Sequence, residues 1–446
     1  MRLAVCGFTA LVLLALPAHA EMSGGKTKVG VLTDLSGPYE QNSGVGSVEA
    51  AKMAAEEFGN TINGVPVEIV SADHQNKPDI GAAIARRWFD LDGVDAVTDL
   101  VNSAVGFAVL EIAKTNNKAV LLTSAGSADF TGKACAPNTS VHWVYDSYEI
   151  GSAIGQALPQ LGKTWFFITA DYVFGRALQE GATAFIEKNG GKVIGSVRHP
   201  LGTSDFSSFM LQAQASKADV VAIANGGDDA INAVKTAREF GITEKQRVVP
   251  FGLDSLPAVH ATSLQLAHGM MYVSPWLPGF DDAAKAFFAK FVERRHTAPS
   301  SFQVGTYSAV RSYLKAVAAT NSDDPKTVFA KMRETKVDDA FTPNGTLRPD
   351  GRMVTTSISC RSKRPPNPKA SGIFSRVSPP YRATRPSGRW RKAAVPPLRH
   401  DDAEEGPTCG KVPFSLHHCR IGASPESFFL RRRNLAATAP FCYFTG

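Results

Sequence analysis

Two successive runs of alternating strand-like and helix-like segments constrain the fold of this chain more than any other feature. The first run extends from Lys28 to Thr123, and the same alternation restarts after Tyr145 and continues to Ser274. The predicted strands are 28–34, 65–72, 94–98, 119–123, 164–169, 192–197, 219–224, 248–252 and 270–274. This order predicts an α/β fold with two open, mostly parallel sheets that are flanked by helices.

The helices between these strands are predicted from apolar residues that recur at helical spacing. In the segment 44–58, for example, Val48, Ala51, Ala55 and Phe58 fall on one face. The other predicted helices are 78–91, 103–115, 147–160, 174–188, 206–215, 228–240, 281–296, 302–319 and 325–335. A chain of 446 residues suits two domains rather than one core.

The N-terminus has the pattern of an export signal. Arg2 is followed by an almost wholly apolar run from Leu3 to Leu16, and Ala18-His19-Ala20 forms an A-x-A cleavage site. The apolar run is shorter than the roughly 20 residues that cross a bilayer. We therefore expect residues 1–20 to be a signal peptide, cleaved near Ala20, and the mature protein to be located outside the cytoplasm. The alternative is a buried N-terminal helix.

The net charge of +7 comes entirely from the C-terminal end of the chain. Residues 355–446 hold 16 Lys and Arg against 5 Asp and Glu, whereas residues 1–354 hold 32 against 36. The same 92 residues contain 12 of the 27 prolines and four of the six cysteines, without a helical or strand-like period. We expect this basic, Pro- and Arg-rich tail to be disordered or to result from a reading-frame shift near 354, and we favour the frame shift.

A binding role for the basic tail is less well supported. Nucleic-acid binding does not suit an exported protein whose tail lacks interleaved aromatic residues, so we expect no nucleic-acid partner. A membrane-surface arm is compatible with the charge alone. The spacing of Cys409 and His417-His418-Cys419 fits no standard zinc site.

Sequence motifs for catalysis and metal binding are missing from the chain. There is no H-E-x-x-H, C-x-x-C or G-x-S-x-G, and the segment 126–133 departs from a phosphate-binding loop in its spacing and in Ala134. We therefore expect no metal, no cofactor and no enzymatic activity, although a triad of distant residues would leave no local motif. Between the signal peptide and the tail, Cys135 is the single cysteine, so we expect no disulfide framework there.

Candidate ligand-binding residues follow the predicted strands, because ligands of open α/β sheets bind beyond the carboxyl ends of the strands. Asn102 and Ser103 open a helix after strand 94–98, and Ala125 and Ser127 follow strand 119–123. Hydroxyls and free N–H groups at two such strand ends suit a carboxylate. The structural alternative for Asn102 and Ser103 is a helix N-cap.

Aromatic and acidic residues stand at comparable places in both halves of the chain. Tyr39 follows the first strand, and Tyr172 and Phe174 follow strand 164–169, where the alternative role is core packing. Asp228 and Asp254 follow strands 219–224 and 248–252. Either carboxylate would suit a ligand ammonium or hydroxyl group, and the alternative for them is helix capping.

Seven segments in order resemble the type I solute-binding proteins of ABC transporters, specifically the branched-chain amino acid and amide class. The resemblance extends over about residues 26–354. It rests on Val29–Pro38, Gly46–Ala51, Asn102–Val105, Thr131–Lys133 with Asn138 and Trp143, Asp171–Gly175, Gly226–Gly241 and Val304–Tyr307.

The resemblance implies a two-lobed type I periplasmic binding protein whose lobes close on a small ligand. It places residues 26–143 and 277–342 in lobe 1, residues 144–276 and 343–354 in an incomplete lobe 2, and chain crossings near 143–147, 272–277 and 342–352. It also implies that a monomer delivers its ligand to the membrane permease of an ABC importer. Two alternatives on the same fold are a ligand-sensing regulator and a hydrolase.

The same resemblance suggests individual roles for several residues. Ser103 and Ser127 match the hydroxyls that hold the ligand carboxylate, and Ala125 matches a carbonyl partner on the same strand end. Phe174 and Tyr307 match aromatic positions. Asp254 falls near the acidic residue for the ammonium, but Gly252-Leu-Asp-Ser255 departs from the usual pattern. The ligand is thus predicted to be a carboxylate, either an amino acid or an aromatic acid.

Overall fold

The structure, a computed structural model, describes residues 22–252, 271–279, 281–355, 358–362 and 441–444. The predicted signal peptide, Asp254 and residues 363–440 of the tail lie outside these ranges. Among the described residues, no helix combines the length and the apolar character that crossing a bilayer requires.

Lobe 1 is built on a six-stranded sheet with the strand order β2-β3-β1-β4-β5-β6. All neighbouring strands are parallel except the short β2, which forms a hairpin with β3. The strands are β1 (Thr27–Thr33), β2 (Thr61–Ile62), β3 (Val65–Asp73), β4 (Ala96–Asp99), β5 (Ala119–Leu122) and β6 (Ser140–His142). The connecting helices are α1 (Gly44–Glu56), α2 (Pro78–Asp90) and α3 (Ser103–Asn116).

Lobe 2 is built on a four-stranded parallel sheet with the order β10-β9-β7-β8. Its strands are β7 (Thr164–Ala170), β8 (Lys192–His199), β9 (Val220–Gly226) and β10 (Arg247–Gly252). Its helices are α4 (Ser147–Leu161), α5 (Val173–Lys188), α6 (Ser207–Ser216) and α7 (Gly227–Glu239). The two open, mostly parallel sheets confirm the predicted fold class.

Three later helices return to lobe 1: α8 (Asp282–Arg295), α9 (Ser301–Thr320) and α10 (Pro325–Glu334). Arg294 of α8 donates to Glu49 of α1 at 2.8 Å, and Arg311 of α9 donates to Glu57 at 2.6 Å. These contacts tie the second half of the chain to the first helix. Lobe 1 is therefore assembled from two distant parts of the sequence.

Both faces of each sheet are covered, which explains why the strands read as continuous apolar runs. In β1, Val29 and Val31 belong to the core shared with α1 and α9, whereas Leu32 belongs to the core beside α2 and α3. In β9, Val220 and Val221 likewise pack into two different cores, one on each face of the sheet. Successive residues of a strand therefore pack into the cores on opposite faces of its sheet.

The chain beyond helix α10 adds short strands between and beside the lobes. The strands β12 (Thr346–Leu347) and β13 (Met353–Val354) form a hairpin. The strand β14 (Ile358–Ser362) pairs antiparallel with β11 (Met271–Ser274) and parallel with β15 (Phe441–Phe444). Regular structure therefore continues past Val354, because strand pairing uses backbone groups and does not need an alternating side-chain pattern.

Cys135 corrects the expectation that the body has no disulfide, because this residue is disulfide-bonded. The side chains of the other five cysteines lie outside the described part of the chain. Counting cysteines within the body alone could not reveal a bond to a cysteine elsewhere in the sequence.

Candidate functional site

A cleft lies between the strand ends of the two lobes. From lobe 1 and the adjoining chain it is lined by Tyr39, Asn42, Val101, Ser124, Gly126, Tyr145 and Phe302, and from lobe 2 by Tyr172, Phe174, Gly226, Gly227 and Gly252. Five of these residues are aromatic, and none carries a charge. The cleft is thus an apolar, ring-lined site at the carboxyl ends of the strands, where the fold predicts a ligand.

The turn after β1 is held by Asp34. This buried carboxylate accepts hydrogen bonds from Gly37 N at 2.8 Å, Tyr39 N at 2.9 Å and Asn76 Nδ2 at 2.7 Å. An aspartate at the start of a turn satisfies the backbone donors that the turn leaves free. As a result, Tyr39 is fixed at the rim of lobe 1 and points into the cleft.

The end of β4 adopts a rare backbone conformation. Asp99 and Leu100 have φ values of +79° and +60°, a left-handed region that costs non-glycine residues free energy. The Asp99 carboxylate accepts from Ser43 Oγ at 2.5 and 2.7 Å, and Leu100 is fully buried. These contacts hold the strained turn, which presents Val101 to the cleft.

Helix α3 begins at the same strand end. Asn102 Oδ1 accepts from Ala104 N at 3.0 Å and Val105 N at 3.4 Å, so this side chain is the N-cap. For Asn102, the alternative role of a helix N-cap is therefore the one that the structure shows. Ser103 differs, because its hydroxyl is fully buried and has no hydrogen-bond partner among the described residues.

The loop after β5 carries the other predicted carboxylate-binding residues. Ala125 O is held by His142 Nε2 at 2.6 Å, and Ser127 Oγ accepts from Asp129 N at 3.4 Å. Both groups thus have partners inside lobe 1. The cleft itself meets Ser124 and Gly126, which the sequence reasoning passed over. Gly126 is required because a Cβ there would lie 2.3 Å from the Phe174 ring of lobe 2.

Tyr39 and Tyr172 meet across the cleft. Their hydroxyls share a hydrogen bond that joins lobe 1 to lobe 2. Burial raises the pKa of both tyrosines well above the ordinary value, so both stay protonated and able to donate. Phe174 lies beside Tyr172, with ring centroids 6.2 Å apart. The structure brings three of the four predicted aromatic residues, Tyr39, Tyr172 and Phe174, into the site.

A second contact between the lobes uses the backbone alone. Asp228 N at the start of α7 donates to Pro38 O at 2.9 Å. Gly227 makes this approach possible: its φ is +58°, and a Cβ there would lie 2.2 Å from Pro38 O. Asp228 therefore reaches lobe 1 through its amide, whereas its half-buried side chain is not among the cleft-lining groups.

Behind α7 lies a fully buried polar cluster that the sequence reasoning did not find. His199 Nε2 lies 3.0 Å from Asn225 Nδ2, and His199 Nδ1 lies 2.9 Å from Pro200 O. Asp229 Oδ2 accepts from Gly202 N at 3.1 Å. Burial raises the pKa of Asp229 to about 7 and lowers the pKa of His199. The residues of this polar cluster are far apart in the sequence, so no local motif marks the cluster.

The sequence predicted Tyr307 on α9 as an aromatic ligand contact, but the aromatic residue of α9 that lines the cleft is Phe302. Tyr307 packs against Phe287 with centroids 4.8 Å apart, and its hydroxyl donates to Glu57 inside lobe 1. Phe302, five residues earlier, lines the cleft. The first turn of α9 faces the cleft and later turns face the helices of lobe 1, which residue type alone does not reveal.

The match to known proteins agrees with this geometry. Residues 26–363 match the model of the family described as periplasmic binding protein. The chain belongs to this family. The match extends past Val354 and includes β14. It confirms the predicted family and fold class of this binding protein.

Two solved structures and one curated protein show how near the similarity is. A periplasmic binding protein from Burkholderia mallei is 40% identical, with a TM-score of 0.74, over 76% of this chain and 90% of that chain. A branched chain amino acid ABC transporter periplasmic ligand-binding protein from Burkholderia xenovorans is 39% identical, with a TM-score of 0.67, over 76% and 91%. Leu/Ile/Val-binding protein homolog 6 from Brucella melitensis is 25% identical over 79% and 91%.

Proposed function

We propose that this binding protein captures a small carboxylate with an apolar, preferably aromatic, body and delivers it to the membrane permease of an ABC importer. The observation that carries the proposal is the cleft itself, which is lined by five aromatic rings and by no charged side chain. The names of the relatives support an ABC transporter role.

The carboxylate is proposed to bind at the lobe 1 strand ends. Ser103 stands two residues after the cleft-lining Val101, at the N-terminus of α3, where the helix dipole favours negative charge. Ser124 supplies a second hydroxyl on the neighbouring strand end. Hydroxyl and N–H donors can hold a carboxylate without an arginine.

The body of the ligand is proposed to lie among the rings. Tyr39 and Phe302 on lobe 1 and Tyr172 and Phe174 on lobe 2 offer faces and edges for stacking. An α-amino acid would also need a partner for its ammonium, and the described lining residues include no carboxylate. The ring-lined cleft therefore favours an aromatic acid, whereas Asp254 is the residue that would support an amino acid.

The proposal also states where and how the protein acts. Residues 1–20 direct export and the mature chain works as a periplasmic monomer, without a metal, a cofactor or catalytic turnover. Closure of the lobes traps the ligand, because the ligand makes contacts on both lobes only in the closed form.

A thermal-shift screen of the mature chain tests the ligand class. We expect benzoate and 4-hydroxybenzoate to raise the melting temperature in a saturable way, and benzamide, which lacks the carboxylate, to have little effect. A response to L-leucine alone would shift the proposal to an amino acid held by Asp254. Conversion of a bound compound into a product would reject a purely binding role.

Ser103→Ala tests the carboxylate site. We expect calorimetry to show benzoate affinity weakened by about 1–3 kcal/mol, because a buried hydrogen bond to a charged group is lost. Ser208→Ala, on the exposed surface of α6, is the matched control and should leave affinity unchanged. Equal affinity in the two variants would remove Ser103 from the site.

A further inference from the structure

A buried ionic cluster lies where the chain passes between the lobes. The first crossing, defined here as residues 143–147, connects β6 to α4, and residues 350–352 run beside it. His142 N donates to Gly351 O at 2.8 Å, and His142 and Arg352 form a parallel β-bridge. Backbone contacts thus join these two segments, which together are called the hinge here, at the end that lies on lobe 1.

The Arg352 side chain extends this contact to lobe 2. Its guanidinium donates to Val144 O and, at 2.6 Å, to Glu149 Oε2 on the first turn of α4, and its Nε lies 3.5 Å from Asp146 Oδ2. Arg352 is 8% exposed and Asp146 is 6% exposed. Ion pairs removed from water in this way hold their geometry tightly, because separation leaves buried charges unpaired.

The opposite side of the first crossing holds the loop after β5. His142 Nε2 donates to Ala125 O at 2.6 Å, Ser147 N donates to Gly126 O at 2.8 Å, and Ala128 N donates to Ser147 Oγ at 3.2 Å. His142, directly before the crossing, and Ser147, at its end, therefore fix the loop 124–128, which supplies Ser124 and Gly126 to the cleft.

The charges around His142 set its hydrogen-bonding role. Burial and the nearby Arg352 lower the pKa of His142 to about 4, with Asp146 acting in the opposite direction. At neutral pH the ring is uncharged and carries one proton. The short contact to Ala125 O places this proton on Nε2, since a carbonyl can only accept.

We propose that Arg352 and His142 are positioning residues that couple the hinge to the ligand loop. Arg352 fixes the first crossing against α4, and His142 transmits that arrangement to the loop 124–128. A change in the angle between the lobes therefore changes the loop, and a ligand held by the loop biases the hinge. The coupling rests on the proposed function only in so far as this loop contacts the ligand.

Hydrogen exchange in the unliganded protein tests the coupling without any ligand. Arg352→Gln should accelerate exchange of the 124–130 amides at least tenfold, although the hydrogen bonds of the guanidinium go to Val144 O and Glu149. His142→Phe, which removes the donor to Ala125 O, should do the same. His142→Gln, whose amide can donate from a similar position, should restore most of the protection.

The matched control is Arg311→Gln, which breaks another arginine–glutamate pair at 2.6 Å on lobe 1. It should leave exchange of the 124–130 amides at the wild-type rate. Equal acceleration by Arg352→Gln in the strands β7 and β9 would indicate general destabilisation and overturn the proposal. Unchanged 124–130 exchange in Arg352→Gln or His142→Phe would overturn it too. Failure of the ligand screen with a positive exchange result would instead reject only the proposed ligand.

Discussion

The two faces of the cleft are built in opposite ways. On lobe 1 the strand ends carry polar side chains, such as Asp34, Asp99 and Asn102, whose hydrogen bonds close within the lobe. On lobe 2 the ends of β9 and β10 are Gly226, Gly227 and Gly252, which offer backbone and leave room, and Tyr172 and Phe174 after β7 add two rings. The lobe 1 face is fixed by polar hydrogen bonds, whereas the lobe 2 face is shaped by glycine backbone and aromatic rings.

The helices that face the cleft show the same contrast. Helix α3 of lobe 1 is capped by the Asn102 side chain. The N-cap positions of helices α5 and α7 of lobe 2 are held by Tyr172 and Gly226, and neither residue gives a side-chain cap. At the start of α7, lobe 2 therefore meets lobe 1 through a backbone amide, in the bond from Asp228 N to Pro38 O.

The largest effect is expected from filling the space on lobe 2. Gly227→Ala introduces a Cβ that would overlap Pro38 O and forces alanine into a left-handed conformation. We expect closure to be lost and benzoate affinity to fall about 100-fold, which corresponds to about 3 kcal/mol. X-ray scattering should show that ligand no longer compacts this variant.

Gly226→Ala is the neighbouring control for that experiment. Its added Cβ would lie 3.4 Å from the Tyr39 ring, an ordinary contact distance, and its φ of −148° suits any residue. This variant should still close when ligand is added. If Gly227→Ala closes equally well, backbone contact between Pro38 and α7 is not what limits closure.

The second effect concerns stability and pH on lobe 2. Because burial raises the pKa of Asp229 to about 7, the folded state binds this proton more tightly than the unfolded chain does. Stability from this group is present below about pH 4 and is lost as pH rises through about 7. Asp229→Asn, which never ionises, should raise the free energy of unfolding by about 2 kcal/mol at pH 8 and by less at pH 5.

Denaturant titrations at pH 5 and pH 8 measure this difference. Asp228→Asn is the matched control, because the adjacent side chain is only half-buried and should give a smaller change. A gain for Asp229→Asn that is independent of pH would contradict the assignment of the titration to this carboxyl.

The smallest effect is expected at the hydroxyl pair between the lobes. Tyr172→Phe keeps the ring and removes one partner of the bond to Tyr39. We expect benzoate affinity to fall by about 0.5–1.5 kcal/mol, through a faster dissociation rate in stopped-flow measurements. Tyr148→Phe, on the exposed side of α4, should leave the rate unchanged. A loss as large as that for Gly227→Ala would show that this bond, rather than steric fit, governs closure.

The contrast between the two faces of the cleft also explains which parts of the fold and of the site could be predicted from the sequence. Periodicity located nearly every helix and strand of the two lobes within a few residues, because both sheets are buried and their patterns are strong. Aromatic residues after the strands led to the cleft-lining Tyr39, Tyr172 and Phe174, whereas Asn102 caps helix α3. The glycines of lobe 2 carry no chemical signal, so their role as contact surface became visible only in three dimensions.

Other features depend on contacts that sequence order does not encode. Phe302 lines the cleft and Tyr307 does not, because the first turn of α9 points at the cleft and the turn that carries Tyr307 points away from it. The hinge cluster joins His142 and Asp146 to Arg352, about 200 positions later in the chain. The proposed signal peptide and Asp254 remain predictions, because both lie outside the described residues.

The split construction of lobe 1 has a consequence for the order in which the protein folds. Glu56 meets Arg294 across 238 positions of sequence, and the apolar face formed by Val29, Val31 and α1 is covered only when α9 arrives. The four-stranded sheet of lobe 2 and its helices α4 to α7 lie between these two parts and are contiguous. During synthesis or translocation, the core between this sheet and helices α6 and α7 can therefore form first, whereas lobe 1 must wait, with an exposed hydrophobic surface, for the last third of the chain.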